Sequence, residues 1–163
     1  MGMNKRIILV GPTCSGKTYL REKFESKGFH FDVSYTSRPM REGEVHGTHY
    51  HFISKDKFID MIKEGEFYEW VEYNGHYYGT GQWEWDNMEY FILETDGVAE
   101  IDPEDRKDCF IIYLNPPEIV RYDRMLARGW GEQTIITRIA TDEKKFKDFT
   151  DYDWEVKDAE VVT

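Results

Sequence analysis

The run Arg6-Ile-Ile-Leu-Val10, followed by Gly11-Pro12-Thr13-Cys14-Ser15-Gly16-Lys17-Thr18, decides the fold class of this chain. Ile7 to Val10 is short, unbroken and closed by glycine, the pattern of a strand buried on both faces of a parallel sheet. The residues from Gly11 to Thr18 fit G-x-x-x-x-G-K-[ST], and a helical pattern follows from Lys17 to Lys27, with Leu20 and Phe24 four apart and Gly28 as the stop. Strand, glycine loop and helix in this order make a phosphate cradle. The glycines let backbone N–H groups turn toward anion oxygens, and the helix presents its positive end to the same anion. Lys17 would reach the β- and γ-phosphates of a nucleoside triphosphate, and the Thr18 hydroxyl would ligate Mg2+. Cys14 has no neighbouring histidine to activate its thiol, so it reads as a cradle position rather than a nucleophile.

Outward from the loop, short apolar strands alternate with helices. Ser54 caps a predicted helix whose Phe58, Ile59 and Ile62 face inward, ending at Gly65. Glu66 to Tyr73 and His76 to Tyr78 read as strands around an Asn74-Gly75 turn. Tyr90 to Glu94 and Cys109 to Leu114 are further buried strands. Pro116-Pro117 launches a helix ending near Gly129, and a last helix is predicted from Glu132 to Phe149. The alternation predicts an α/β fold on a parallel sheet. It breaks from about Asp32 to Thr80, a stretch rich in Tyr, Thr and Gly that reads as a β-rich insertion.

Composition bounds the function. The 163 residues suit one domain, and 32 acidic against 21 basic residues give a formal charge of −11. A general nucleic-acid binder would be basic, so no nucleic-acid partner is expected. No apolar run approaches the ~20 residues of a membrane span, and no secretory signal is visible, so a cytoplasmic setting is expected. The two cysteines, Cys14 and Cys109, make neither a disulfide framework nor a four-cysteine zinc site. His46, His49 and His51 lack a carboxylate or thiol at ligand spacing and do not read as a metal site. Basic residues cluster locally instead, as Arg38 with Arg41 and as the series Arg121, Arg124, Arg128 and Arg138. Such clusters on an acidic chain suit a small anionic ligand.

A second substrate site is legible in Ser34-Tyr-Thr-Ser-Arg38-Pro-Met-Arg41 through Tyr50, and in Gly65-Glu-Phe-Tyr-Glu69-Trp followed by Tyr77-Tyr78-Gly79-Thr80. Guanidinium forks three apart in a Pro- and Gly-broken segment can converge on one phosphate, with Tyr50 adding a hydroxyl. A carboxylate on a β-rich wall beside Ser, Thr and Tyr hydroxyls suits guanine, which offers N1–H and N2–H side by side. Adenine lacks that pair and would leave the carboxylate unmet. Taken alone, each of these residues also has a plainer reading: Arg38 and Arg41 paired with Glu42 and Glu44, Glu69 as a solvated strand carboxylate, the tyrosines as rim aromatics.

Together the motifs resemble guanylate kinase, the ATP:GMP phosphotransferase family, over nearly the whole chain to Tyr152. The resemblance implies a P-loop NTPase fold in a single domain. Its core would comprise residues 1–31, 81–120 and 140–163, with a GMP-binding subdomain at 32–80 and a helical lid at about 121–139. It implies that Ser34, Glu69 and Thr80 contact guanine, and that Arg38, Arg41, Tyr50 and Tyr78 hold the GMP phosphate. Asp96 resembles the family's acidic residue near base and metal. Gly11 through Thr18, with Tyr19, Arg124 and Arg128, would bind ATP; Arg138 would serve both the GMP side and catalysis, beside Lys17, Arg38, Arg41 and Arg128. The implied cofactor is Mg2+ and the partners are ATP with GMP or dGMP, in a monomer or weak homodimer. Two departures stand out: Gly81 to Asn87 is short and unusually aromatic, and Lys157 occupies a position where the family usually has Asn.

Two rivals remain at this level. A non-catalytic guanylate-kinase-like module would bind protein partners, but such modules typically lose the phosphate loop that is intact here. A related P-loop kinase for another phosphorylated ribose compound would not need the Glu69 and Thr80 pair.

Overall fold

The computed structural model describes residues 5–162. In chain order the elements are β1 (Arg6–Val10), α1 (Lys17–Glu25), β2 (Tyr35–Thr36), β3 (His51–Phe52), α2 (Lys55–Lys63), β4 (Phe67–Tyr73) and β5 (His76–Gly81). Then come α3 (Gln82–Asn87), β6 (Tyr90–Ile92), α4 (Thr95–Ala99), α5 (Pro103–Arg106), β7 (Cys109–Leu114), α6 (Glu118–Ala127), α7 (Glu132–Phe146) and β8 (Trp154–Val156). A 3-10 turn at Ala159–Val161 follows.

Two four-stranded sheets carry the architecture. The first, ordered β6-β1-β7-β8, is parallel throughout, as the buried apolar runs predict. Its side chains alternate between layers. Ile8, Val10, Ile111 and Tyr113 pack on one face with Trp85, Phe91 and Phe146, while Leu9, Ile112 and Leu114 pack on the other with Leu20, Phe31 and Val156. The second sheet, β3-β2-β5-β4, is mostly antiparallel and spans the β-rich stretch. Phe31 makes a bridge to Tyr90 that ties the start of this stretch to the edge of the first sheet. A third apolar cluster, Met125, Ile135 and Ile139, holds α6 against α7.

Several boundaries differ from the sequence expectations. Helix α7 stops at Phe146 rather than Phe149, and α1 at Glu25 rather than Lys27. In α2 the buried pair is Phe58 and Met61, with Ile59 and Ile62 half-buried, so the inward face is rotated by one position. Strand β8 had no apolar run to announce it; it joins the sheet through backbone pairing to Ile112, Tyr113 and Leu114. Of the unusual tryptophans, Trp85 is core and Trp83 is exposed. No helix among the described residues is long and apolar enough to cross a membrane.

Candidate active site

The glycine loop leaves β1 at the C-terminal edge of the parallel sheet and enters α1 at Lys17. Its conformation needs its small residues. A Cβ on Gly11 would collide with Ser15 Oγ and the Leu114 carbonyl, and Gly16 has a φ of 106°, in the left-handed region. Lys17 Nζ donates to the Gly11 carbonyl and lies 3.9 Å from Glu94 Oε1.

The helical pair α6–α7 reaches over this loop and touches it at four points. Arg121 Nε donates to the Thr13 carbonyl at 2.8 Å, Arg124 Nη1 to the Cys14 carbonyl at 2.9 Å, and Arg138 Nε to Thr13 Oγ1 at 2.7 Å. The Thr13 N–H in turn donates to Asp142 Oδ2 at 3.1 Å. Arg121 and Asp142 form a buried ion pair at 2.6 Å. The sequence placed Arg121 in the basic series that suits an anionic ligand; its burial against Asp142 makes it a support beneath the loop instead. Arg124 and Arg128 line a separate cavity of about 240 Å³ with Thr18, Tyr19 and Asp158. Lys157 stays exposed, 3.4 Å from Glu155.

On the other side, Glu69 and Thr80 face each other across the β4–β5 ladder. Thr80 Oγ1 donates to Glu69 Oε1 at 2.7 Å, and both side chains are buried. A register shift between Phe67 and Glu69 re-aims the strand here. It sends Tyr68 to stack on Trp85 while Glu69 points into a small chamber beside Ser34. Gly97 leaves the space Glu69 uses, since a Cβ there would sit 3.3 Å from Glu69 Oε2. Burial pushes the Glu69 carboxyl up to about 7; the Thr80 hydroxyl opposes this, and Glu100 and Asp96 add to it.

The chamber shares Tyr50, Val71, Tyr78 and Glu94 with a larger cavity of about 330 Å³. Arg38, Arg41, Asp96 and Arg138 also line that cavity. Arg38 is committed: its two terminal nitrogens reach both Glu44 oxygens at 2.8 Å, and its guanidinium lies over the Tyr50 ring at 5.4 Å. That pairing holds Glu44 down to about 2 and raises Arg38 further. Arg41 donates only its backbone N–H to Glu44, at 2.8 Å, leaving its guanidinium to the cavity.

So the structure gathers Ser34 and Glu69 in one chamber, with Thr80 buried behind Glu69 as its hydrogen-bond donor, and Arg38, Arg41, Tyr50, Tyr78, Asp96 and Arg138 around its mouth. It keeps Arg128 apart, beside the loop. Sequence reasoning missed Glu94, which bridges the two halves. Its Oε2 accepts from Lys145 at 3.1 Å while Oε1 faces Lys17. Burial would raise Glu94, but Lys17 and Lys145 together hold it below the usual carboxylate range. The available signal was its position at the C-terminal end of a parallel strand, where ligands bind in α/β sheets.

Comparison with known proteins shows the family and the fold. The sequence profile of the family described as guanylate kinase matches residues 3–161. The guanylate kinase of Wolinella succinogenes is 35% identical over 158 residues, covering 88% of this chain and 73% of the relative. That of Clostridium tetani is 34% identical, covering 92% and 76%, and that of Enterococcus faecalis is 33% identical, covering 95% and 81%. The crystal structure of guanylate kinase from Anaplasma phagocytophilum superposes with a TM-score of 0.70 at 20% identity, over 98% of this chain and 80% of that one, a likeness of fold.

Proposed function

Since the chain belongs to the guanylate kinase family, whose nucleotide-binding phosphotransferases convert GMP to GDP, we propose that it moves the γ-phosphoryl group of ATP directly onto GMP or dGMP. The observation that carries this reading is the continuity of the site. The buried Glu69–Thr80 pair opens into a cation-lined cavity, and Glu94 joins that cavity to the lysine of the phosphate loop.

Ser34, Glu69 and Thr80 bind guanine, with the carboxylate accepting from N1–H and N2–H. Arg41, Tyr50 and Tyr78 hold the acceptor phosphate, with Arg38 setting the ring and loop positions around it. Lys17 neutralises the β- and γ-phosphates, and Arg124, Arg128 and Arg138 surround the donor from α6 and α7. The acceptor phosphate is already an anion, so no covalent enzyme intermediate is needed. Catalysis is alignment plus charge neutralisation, and closing α6–α7 over the donor excludes water.

The donor set fits Mg2+. Thr18 offers a hydroxyl on the first turn of α1, and no group of three or more His, Cys, Asp or Glu among the described residues gathers to hold an ion alone. That arrangement suits a cation that keeps waters and substrate phosphate oxygens as ligands. Thr18 would hold it, and the ion would supply charge neutralisation on the transferring group.

The test is coupled ADP release with GMP, dGMP, AMP, CMP and UMP. GMP and dGMP should be used and the others rejected. ADP release that is equal across the bases, or absent with GMP, would overturn the assignment.

A further inference from the structure

Lys145 comes from neither the phosphate loop nor the acceptor segment, yet it stands between them. It lies on the last turn of α7, seven residues and about two turns after Arg138, so both side chains leave the same face. Its Nζ donates to Glu94 Oε2 at 3.1 Å and sits 4.8 Å over the Tyr73 ring. Its side chain is 20% exposed and lines the acceptor cavity with Arg41, Tyr78 and Arg138. One carboxylate, Glu94, therefore bridges two ammonium groups, Lys17 from the donor loop and Lys145 from the far end of α7.

We propose that Lys145 is a further catalytic residue, an ammonium that α7 delivers to the phosphoryl oxygens shared by donor and acceptor, with Glu94 holding it in place between turnovers. The inference rests on the phosphotransferase reading above and adds a residue to it.

Charge supports the role. Four cations, Arg38, Arg41, Arg138 and Lys145, line the cavity against two carboxylates, Glu94 and Asp96. Arg38 is answered by Glu44, and Arg138 lies 3.6 Å from Asp142. Lys17 and Lys145 share one carboxylate, so that trio keeps a surplus positive charge where the phosphoryl group must cross. A compact ammonium on a flexible stem can follow the group as it moves, which a fork locked in a bidentate pair cannot do. The bond that breaks joins the γ-phosphorus to the β–γ bridging oxygen, the bond that forms joins it to an acceptor phosphate oxygen, and ADP carries away the electron pair.

Lys145→Met keeps most of the stem and removes the charge; Lys145→Arg restores it. Steady-state kinetics are measured for ATP and GMP. Calorimetry compares GMP alone with an analogue in which adenosine and guanosine are joined through five phosphates. Lys145→Met should lower kcat by about 100-fold, with both KM values within about threefold. It should weaken the joined analogue by about tenfold or more and GMP alone by less than about threefold, and Lys145→Arg should recover most of both losses. Turnover of Lys145→Met near the wild-type value would overturn the proposal. So would equal weakening of GMP and the analogue, or Lys145→Arg as slow as Lys145→Met, since either marks a purely structural tie between α7 and β6. A wild-type protein that binds the joined analogue but leaves GMP unphosphorylated overturns the functional reading itself, before any variant is considered.

Discussion

On the proposed acceptor side the groups assigned to the base and phosphate are paired in advance within one stretch of chain: Thr80 with Glu69 across β4 and β5, and Glu44 with Arg38 in the loop between β2 and β3. On the donor side the phosphate loop is satisfied by side chains from another part of the chain, with the Thr13 carbonyl, hydroxyl and N–H taken by Arg121, Arg138 and Asp142. The difference is one of chemistry. A base is recognised by a fixed array of donors and acceptors, so its partners must be buried and placed beforehand. A triphosphate is recognised by charge, and the loop that holds it can exchange one set of polar partners for another. On the proposed reading the acceptor half therefore selects, and the donor half closes.

Breaking the donor half at its centre should have the largest effect. Lys17→Ala removes the point charge at the β- and γ-phosphates and should lower kcat by about 1000-fold or more while the fold persists. Single-turnover kinetics beside a melting curve check this, and turnover near wild type would remove Lys17 from the chemistry.

Breaking the acceptor half should alter selection more than rate. Glu69→Gln replaces one acceptor with a donor, and the ratio of kcat/KM for GMP over AMP should fall by roughly 100-fold or more. Arg41→Ala should weaken every nucleoside monophosphate alike, since its guanidinium faces the cavity and not the chamber. If Arg41→Ala changed the ratio and Glu69→Gln did not, the division between base and phosphate roles would be reversed.

What the sequence disclosed follows the same division. The phosphate loop and the Glu69 and Thr80 segments are legible because contiguous residues carry them: a strand, a glycine turn and a helix, or two strands around Asn74-Gly75. Glu94, Lys145 and the Arg121–Asp142 pair were not legible. Lys145 and Glu94 are 51 residues apart, and Thr13 and Asp142 are 129 apart, distances at which no local periodicity carries information. Burial also inverted Arg121, which reads as one of a basic series suited to an anionic ligand until its partner is known. Strand β8 was missed because Trp-Glu-Val has no pattern of its own and is recruited by the edge of β7.

The support under the donor loop sharpens the comparison further. Asp142→Ala leaves the buried Arg121 without its partner and frees the Thr13 N–H, so it should cost about 3 kcal/mol or more of stability and raise KM for ATP by about tenfold. The joint change Arg121→Met with Asp142→Leu removes both charges and should recover most of the stability. KM for ATP should stay high, because the loop has lost its anchor. Denaturant melts and ATP kinetics on both variants decide it; recovery of KM along with stability would make the pair a packing element only.

Because burial pushes Glu69 up to about 7, the empty chamber is partly protonated near neutrality, whereas guanine needs the carboxylate. KM for GMP should therefore rise by up to about tenfold as the pH falls from 8 to 6, through ionisation of this one group. Glu69→Gln should lose that part of the pH profile while keeping the part due to the GMP phosphate. A profile unchanged by the substitution would place the titration elsewhere.

The last effect bears on stability rather than turnover and concerns a carboxylate that the donor half has no counterpart for. Asp142 has Arg121, but Asp32 makes no ion pair among the described residues: it is 6% exposed, and its Oδ1 lacks a hydrogen-bond partner. It lies where the acceptor sheet leaves the core, with its N–H donating to the Tyr90 carbonyl at 2.8 Å. Burial pushes its carboxyl up to about 7; Glu84, whose carboxylate accepts from Tyr35 at 3.0 Å, adds to the rise, while the Val33 backbone and Arg21 oppose it. An acid whose folded value lies above its unfolded value favours folding most at low pH. That share of stability is lost as the pH climbs from about 4 to about 7 and stays lost above it, on the order of 4 kcal/mol. Asp32→Asn cannot ionise, so it should melt about 10 °C higher than wild type at pH 8 and close to wild type at pH 4. Paired melting curves at the two pH values test this directly. A variant that is equally destabilised at both would show that Asp32 is ionised in the fold and held by a partner, as Asp142 is on the donor side.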